Sequence, residues 1–162
     1  MSVSLEQLVY QGLIANAAFT ALLAVDAGNN VAFYDKQLPQ QNFPASGGSG
    51  VIYPAGVYQR ISSPRLFAHG AGSDPGGQAN TGLARFQFTF WSNASNGTVV
   101  LDQIDRAVKG FFQTFTAMYA PGSPPLTNPS FISYDSRTGI EPDTQPVLQK
   151  LIIDVRFWFS DQ

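Results

Sequence analysis

Apolar positions along the chain recur at helical steps in two stretches and alternate in several others. Leu5, Leu8, Gly12, Ala15, Phe19 and Leu22 follow one another at three- and four-residue intervals, which predicts one amphipathic helix ending near Gly28. Ser4 and Gln7 have the spacing of a reciprocal cap at its start. A short strand, NVAFYD at 30–35, comes next, and QLPQQNFPASGGSG at 37–50 is a loop by its Pro, Gly and Ser content. In VIYPAGVYQRISS (51–63), Pro54 and Gly56 demote the first half to an edge or bulge, whereas Val57 to Ser62 reads as a proper strand.

The most regular alternation is LARFQFTFWS, from Leu83. Phe86, Phe88 and Phe90 point one way there and Arg85, Gln87, Thr89 and Trp91 the other, as in a half-buried strand. A second helix is predicted over 98–120, with Val100, Ile104, Val108, Phe111, Phe115 and Met118 on one face and Thr98 as its cap. Asp102 with Arg106, and Asp105 with Lys109, stand four apart with the acid first, the order a solvated helix face prefers. SFISYD (130–135) is a short strand, SRTGIEPDTQP a loop, and VLQKLIIDVRFWFS (147–160) a long alternating strand. The order is therefore α-β-β-β-α-β-β.

Each amphipathic helix needs one apolar surface to cover, and the alternating strands offer a single apolar face. The expected fold class is α+β: one domain over 1–162, a mostly antiparallel sheet with both helices on one face, in two layers. The second face then carries Arg85, Gln87, Thr89, Trp91, Lys150, Ile152, Asp154, Arg156 and Trp158. Two tryptophans and an isoleucine there are apolar for a surface left to water. Either a neighbour meets this face or a loop folds over it.

Composition adds that the surface is lightly charged. Only 12% of the 162 residues are charged, about half the level usual in soluble domains. Nine Lys and Arg against eleven Asp and Glu form no basic block, so no nucleic-acid footprint is present and sequence-specific nucleic-acid binding is not expected. The lack of cysteine removes disulfides and thiolate metal sites and fits an intracellular origin. LIANAAFTALLAV (13–25) is too short to span a bilayer core of roughly 30 Å, lacks a basic leader, and reads as neither membrane anchor nor signal peptide.

AHGAGSDPGGQANTG (68–82) holds the only histidine and five glycines. A phosphate loop would need a Lys and a following helix, but a strand follows here and no Lys is present. His69, Ser73 and Asp74 sit too close in sequence for a catalytic triad, which converges from distant segments on a rigid scaffold. Asp74-Pro75-Gly76 is a turn signal, so the stretch reads as the tip of a long hairpin. Glu141 and Asp143 provide too few oxygens for a calcium loop, and one histidine without cysteine cannot build a transition-metal site of the usual kind. Asp154 and Arg156 share a face and suit a structural ion pair. No catalytic, cofactor or metal residues are assigned, and the chain reads as a non-enzyme.

The order of elements resembles that of the tail-terminator, or tail-completion, proteins of long-tailed bacteriophages and related gene-transfer particles. The resemblance runs from LIANAAFTALLAVD through PAGVYQRISS and ARFQFTFWSNASNGTVVLDQIDRAVKGFF to LIIDVRFWFS, over roughly 8–160. It implies a virion protein, assembled in the host cytoplasm, that forms a ring, commonly a homohexamer, on the head-proximal end of the tail tube. Such a ring ends tube polymerisation and joins the tail to the head, with DNA passing through it. The implied partners are further copies of the chain, the tail-tube protein and a connector or head-completion protein.

A ring contact is heterologous, one patch docking on a different patch of the next subunit. Exposed strand edges and the second sheet face, including Arg85, Trp91, Arg156 and Trp158, are the candidate contact or lumen surface. The glycine loop, with His69, Ser73, Asp74, Gln78 and Asn80, is the candidate axial contact. A head-completion, connector or tail-tube subunit is the neighbouring alternative. A small-ligand-binding α+β domain is a third, although its inward faces would be almost wholly apolar.

Overall fold

The computed structural model describes residues 5–25, 28–38, 52–62, 65–66, 81–93, 95–115, 131–141 and 147–160. Helices α1 (Leu5–Ala15) and α2 (Ala17–Thr20) lead into β1 (Phe33–Asp35), β2 (Ala55–Ser62), β3 (Arg65–Leu66) and β4 (Thr81–Ser92). Helix α3 (Gly97–Thr114) and strands β5 (Phe131–Glu141) and β6 (Leu148–Ser160) complete the order. The sheet runs β1-β2-β4-β6-β5, with β3 also paired to β4. Every pairing is antiparallel except β1 with β2. The α+β class and the two-layer arrangement expected from the alternation are present.

The alternation of β4 sets the layers. Ala84, Phe86, Phe88 and Phe90 are buried on the helix side, and Arg85, Gln87, Thr89 and Trp91 are half-buried on the other. Leu151, Ile153, Val155 and Phe157 of β6 continue the buried row. Onto it pack Leu5, Val9 and Leu13 of α1, Phe19 of α2, and Leu101, Ile104, Val108 and Phe112 of α3. Phe112 lies 5.6 Å from Phe88 and 5.8 Å from Phe157, centroid to centroid, so α3 is seated across β4 and β6. Each such buried ring is worth roughly 1.5–3 kcal/mol against exposure. This row is the main source of cohesion between the layers.

Several local expectations are corrected. The first helix does not run unbroken to Gly28. Asn16 leaves the helical conformation and its side chain accepts from the N–H groups of Ala18 (3.1 Å) and Phe19 (3.3 Å), starting α2 afresh. Asparagine is a better cap than helix interior residue because its short side chain competes for these backbone donors. The buried stripe of α1 is accordingly Leu5, Val9 and Leu13, and Ala15 is exposed. In α3 the stripe shifts by one residue to Leu101 and Phe112, with Phe111 half-buried. Asn96 precedes that helix, and Thr98 donates to Gln149 Oε1 (2.9 Å) in place of capping. Ser4 and Met118 lie outside the described residues.

The largest correction concerns β5. Residues 136–141, read from sequence as loop, continue the strand and pair with β6 from Ser136↔Ile153 to Glu141↔Leu148. The face toward the helices carries Tyr134, Ser136, Thr138 and Ile140, which lacks the hydropathic contrast of β4. Hydrogen bonding to β6, not side-chain burial, holds this part of the strand.

Candidate subunit interface

Among the described residues no helix lies on the second face of the sheet. Its cross-strand rows follow from the register. One row is Arg85, Arg156 and Ser133, the next is Gln59, Gln87, Asp154 and Asp135, and the third is Tyr34, Val57, Thr89, Ile152 and Arg137. The last is Ala55, Trp91, Lys150 and Gly139.

These rows carry a polar network. Arg85 Nε and Nη2 both donate to Asp154 Oδ1, at 3.2 and 3.1 Å, and Arg137 Nη2 stands 3.9 Å from Asp154 Oδ2. Asp154 is only 9% exposed, so two guanidinium groups offset a carboxylate that has lost most of its water. The expected partner of Asp154 was Arg156. Cross-strand geometry selects Arg85 instead, because β4 brings that residue alongside while Arg156 sits two positions along the same strand. Arg156 is exposed and stands directly opposite Arg85.

At the other end of the face, Lys150 Nζ pairs with Glu141 Oε2 at 2.9 Å, and Trp91 Nε1 donates to the same oxygen at 3.5 Å. The Lys150 hydrogen bond, then that of Trp91, holds the Glu141 carboxyl below its usual range. Gln59 Nε2 donates to Gln87 Oε1 at 3.1 Å in the middle. The face is therefore more polar and better paired than a count of its tryptophans suggests.

Of the residues singled out from sequence, Arg85, Trp91 and Arg156 share this face. Trp158 pairs through its backbone with Leu83, and its side chain lies outside the described residues, as do His69, Ser73, Asp74, Gln78 and Asn80. The base of that loop is described: Arg65↔Gly82 and Leu66↔Thr81 are antiparallel partners, so the chain leaves and returns on neighbouring strands. Strand β4 begins at Thr81, two residues before the expected start.

A groove that sequence reasoning missed runs between α3 and β5. Its larger part, about 430 Å³, is lined by Thr98, Val99, Asp102, Asp105, Ser136 and Arg137, among others, and a smaller part of about 190 Å³ adjoins it at Thr138, Ile140 and Gln149. Asp105, expected to pair with Lys109, accepts from Tyr134 Oη at 2.6 Å and from Ser136 Oγ at 3.2 Å, tying α3 to β5. Burial, followed by this hydrogen bond, pushes the Tyr134 phenol well above its usual range. Lys109 Nζ lies 5.9 Å from the centroid of the same ring. Asp102 does pair with Arg106, at 2.8 Å.

The groove has no convergent acid–base set, and among the described residues no three His, Cys, Asp or Glu side chains could hold a metal ion. No helix among them is long and apolar enough to cross a membrane. No protein-family model and no curated protein matches the chain. A solved structure is similar in fold: a chain described as "Virion of native gene transfer agent (GTA) particle" superposes with a TM-score of 0.54 at 17% identity, over 98% of this chain and 96% of that one.

Proposed function

We propose that the chain is a structural virion protein of a phage-like or gene-transfer particle, and that within it the chain forms the ring that terminates the tail tube on its head-proximal side and joins it to the head. The observation that carries the reading is the shared fold with a chain of a gene-transfer-agent virion, which extends over 98% of this chain. Near-complete coverage of both chains matches whole architecture to whole architecture. The order of elements supports the finer role through its resemblance to tail-terminator proteins.

The open sheet face fits such a subunit physically. Its charges are largely paired within the face and the pairs stay partly exposed, which suits a hydrated lumen or a wet contact with a neighbour. Leu66 and Thr81, which flank residues 67–80, are paired on neighbouring strands, which suits an axial contact of that segment with tube or connector. Purified protein mixed with tail tubes and viewed by negative stain tests the role. Rings seated on tube ends, with tube growth stopped, support a terminator; long stacks of rings made from this chain alone point to a tube subunit. Deleting 70–80 should spare the fold and reduce head joining, and undiminished joining removes the axial role of the loop.

A further inference from the structure

Among the described residues, five of the six large apolar side chains that stay exposed fall into two groups, Ile61 being the sixth. Val99 and Ile140 are 57% and 66% exposed at the lip formed by α3 and β5, Val147 is 57% exposed just before β6 begins opposite Glu141, and Val25 and Ile52 are 48% and 40% exposed beside β1 and β2. The first group lies at one edge of the sheet and the second at the opposite edge. Both lie at the same end of the strands. Ile140 pairs with Gln149, which pairs with Ser92, the residue after Trp91; Trp91 in turn faces Ala55, the start of β2. Ala24 donates to the carbonyl of Pro54 at 2.8 Å and Val25 bridges Val31, which fixes the second group at that level.

The first edge is also unfinished. Residues 135–140 of β5 are exposed in unbroken succession, on both faces of the strand. Among the described residues the helix layer stops at α3, with the groove beside β5. Natural sheets blunt an edge with charged side chains, proline, a short strand or a bulge, and in β5 Asp135 and Arg137 supply charge whereas Thr138 to Ile140 is uncharged. Here eleven residues run without proline, and the irregularity falls at the far end, between Phe131 and Ser133.

We propose that subunits join edge to edge, the β5–α3 lip of one copy (Val99, Ile140, Val147) receiving the β1-side patch (Val25, Ile52) of the next. The occupant is a second copy of this chain because both halves of the contact are present on it, apolar against apolar, on opposite edges about 19 Å apart by the usual strand spacing. The patches differ, so the contact is heterologous and each subunit keeps one free half. They lie at one height along the strands, so the contact adds no translation in that direction, and it closes into a ring where the rotation between neighbours divides a full turn. The inference rests on the ring reading above and specifies which surfaces make the ring.

Ile140→Glu and Ile52→Glu test it, each in the full chain and with tail tubes present. Both side chains are exposed, so far-ultraviolet circular dichroism and melting should match the wild type. Each variant alone is expected to lose the ring and run at the monomer mass of 17.5 kDa. Mixed one to one they should form dimers and nothing larger, because only one intact lip and one intact patch can meet. Ile61→Glu, exposed at the other end of β2, should leave rings unchanged. The chain has no cysteine, so Ile140→Cys with Ile52→Cys in the same chain should give a ladder of disulfide-linked oligomers, and either alone should not. Wild-type rings that survive both charge substitutions overturn the edge contact and leave the ring reading standing. A wild type that forms no rings, even on tubes, overturns both.

Discussion

Replacing Gly56 with alanine should destabilise the fold, although the same change normally favours a strand. Alanine at an interior strand position ordinarily gains about 0.5–1 kcal/mol over glycine, which gives up more backbone freedom on folding. At Gly56 an added Cβ would lie 2.4 Å from Cδ1 and Cε1 of Phe90 and 3.2 Å from Cδ2 of Phe33. The Phe90 ring has nowhere to retreat: Phe33 stacks on it at 6.0 Å and 5°, and Phe19 meets it edge-on at 5.9 Å. Overpacking of this kind costs about 1–3 kcal/mol, so the clash outweighs the gain. A net loss of about 1–2 kcal/mol lowers Tm by roughly 2–8 °C in a chain of this size. Gly139→Ala in β5, where nothing lies within 4 Å of the new methyl group, is the control and should hold or raise Tm. Thermal and urea melts of both variants decide the matter. Adding Phe90→Leu to Gly56→Ala should recover part of the loss relative to Phe90→Leu alone. A Gly56→Ala protein as stable as Gly139→Ala would refute the packing argument.

Asn16→Ala should cost about 1 kcal/mol in denaturant melts, since it removes the acceptor for the first N–H groups of α2. Tyr134→Phe removes the phenol that donates to the Asp105 backbone oxygen (2.9 Å) and carboxylate (2.6 Å), and should cost about 1.5–3 kcal/mol in the same assay. A double-mutant cycle of Arg85→Met and Asp154→Asn should show a coupling of about 1 kcal/mol, modest because the Arg85 side chain is 35% exposed. In alkali, desolvation first and then the charge of Asp35 push Tyr58 from 10.0 to about 12, and Tyr134 is raised further. Both phenols keep their protons in the folded state after the unfolded chain has lost them. Their contribution is therefore full below pH 10 and fades as pH rises toward and through 12, which a pH series of urea midpoints will show. Glu141 works in the opposite sense: its lowered pKa contributes stability above its unfolded value of 4.5 that is lost on acidification.

How much of this was legible in the sequence follows from how strongly each segment's polarity is patterned. β4 and β6 alternate large aromatic or branched residues with polar ones, so their faces, and thereby the two-layer architecture, could be read directly. Strand β5 beyond Asp135 could not, because Ser136, Thr138 and Gly139 carry no contrast between its faces and Pro142 follows closely. The groove is hidden with it, since one of its walls reads as loop in the sequence. The break at Asn16 was visible only as a residue type, because the apolar steps run across it undisturbed. Arg85, Trp91 and Arg156 were placed on a common face correctly by two-residue periodicity. Their partners Asp154, Glu141 and Lys150 come from cross-strand register, which a single strand's pattern does not contain.

The central claim, a ring that caps the tail tube, is tested most directly by the mass and shape of the purified protein, by light scattering and then negative-stain imaging with and without tail tubes. The account predicts discrete rings, free or formed on the tube, seated at tube ends that grow no further. A protein that remains at 17.5 kDa at high concentration and leaves tube ends bare and extending would contradict it.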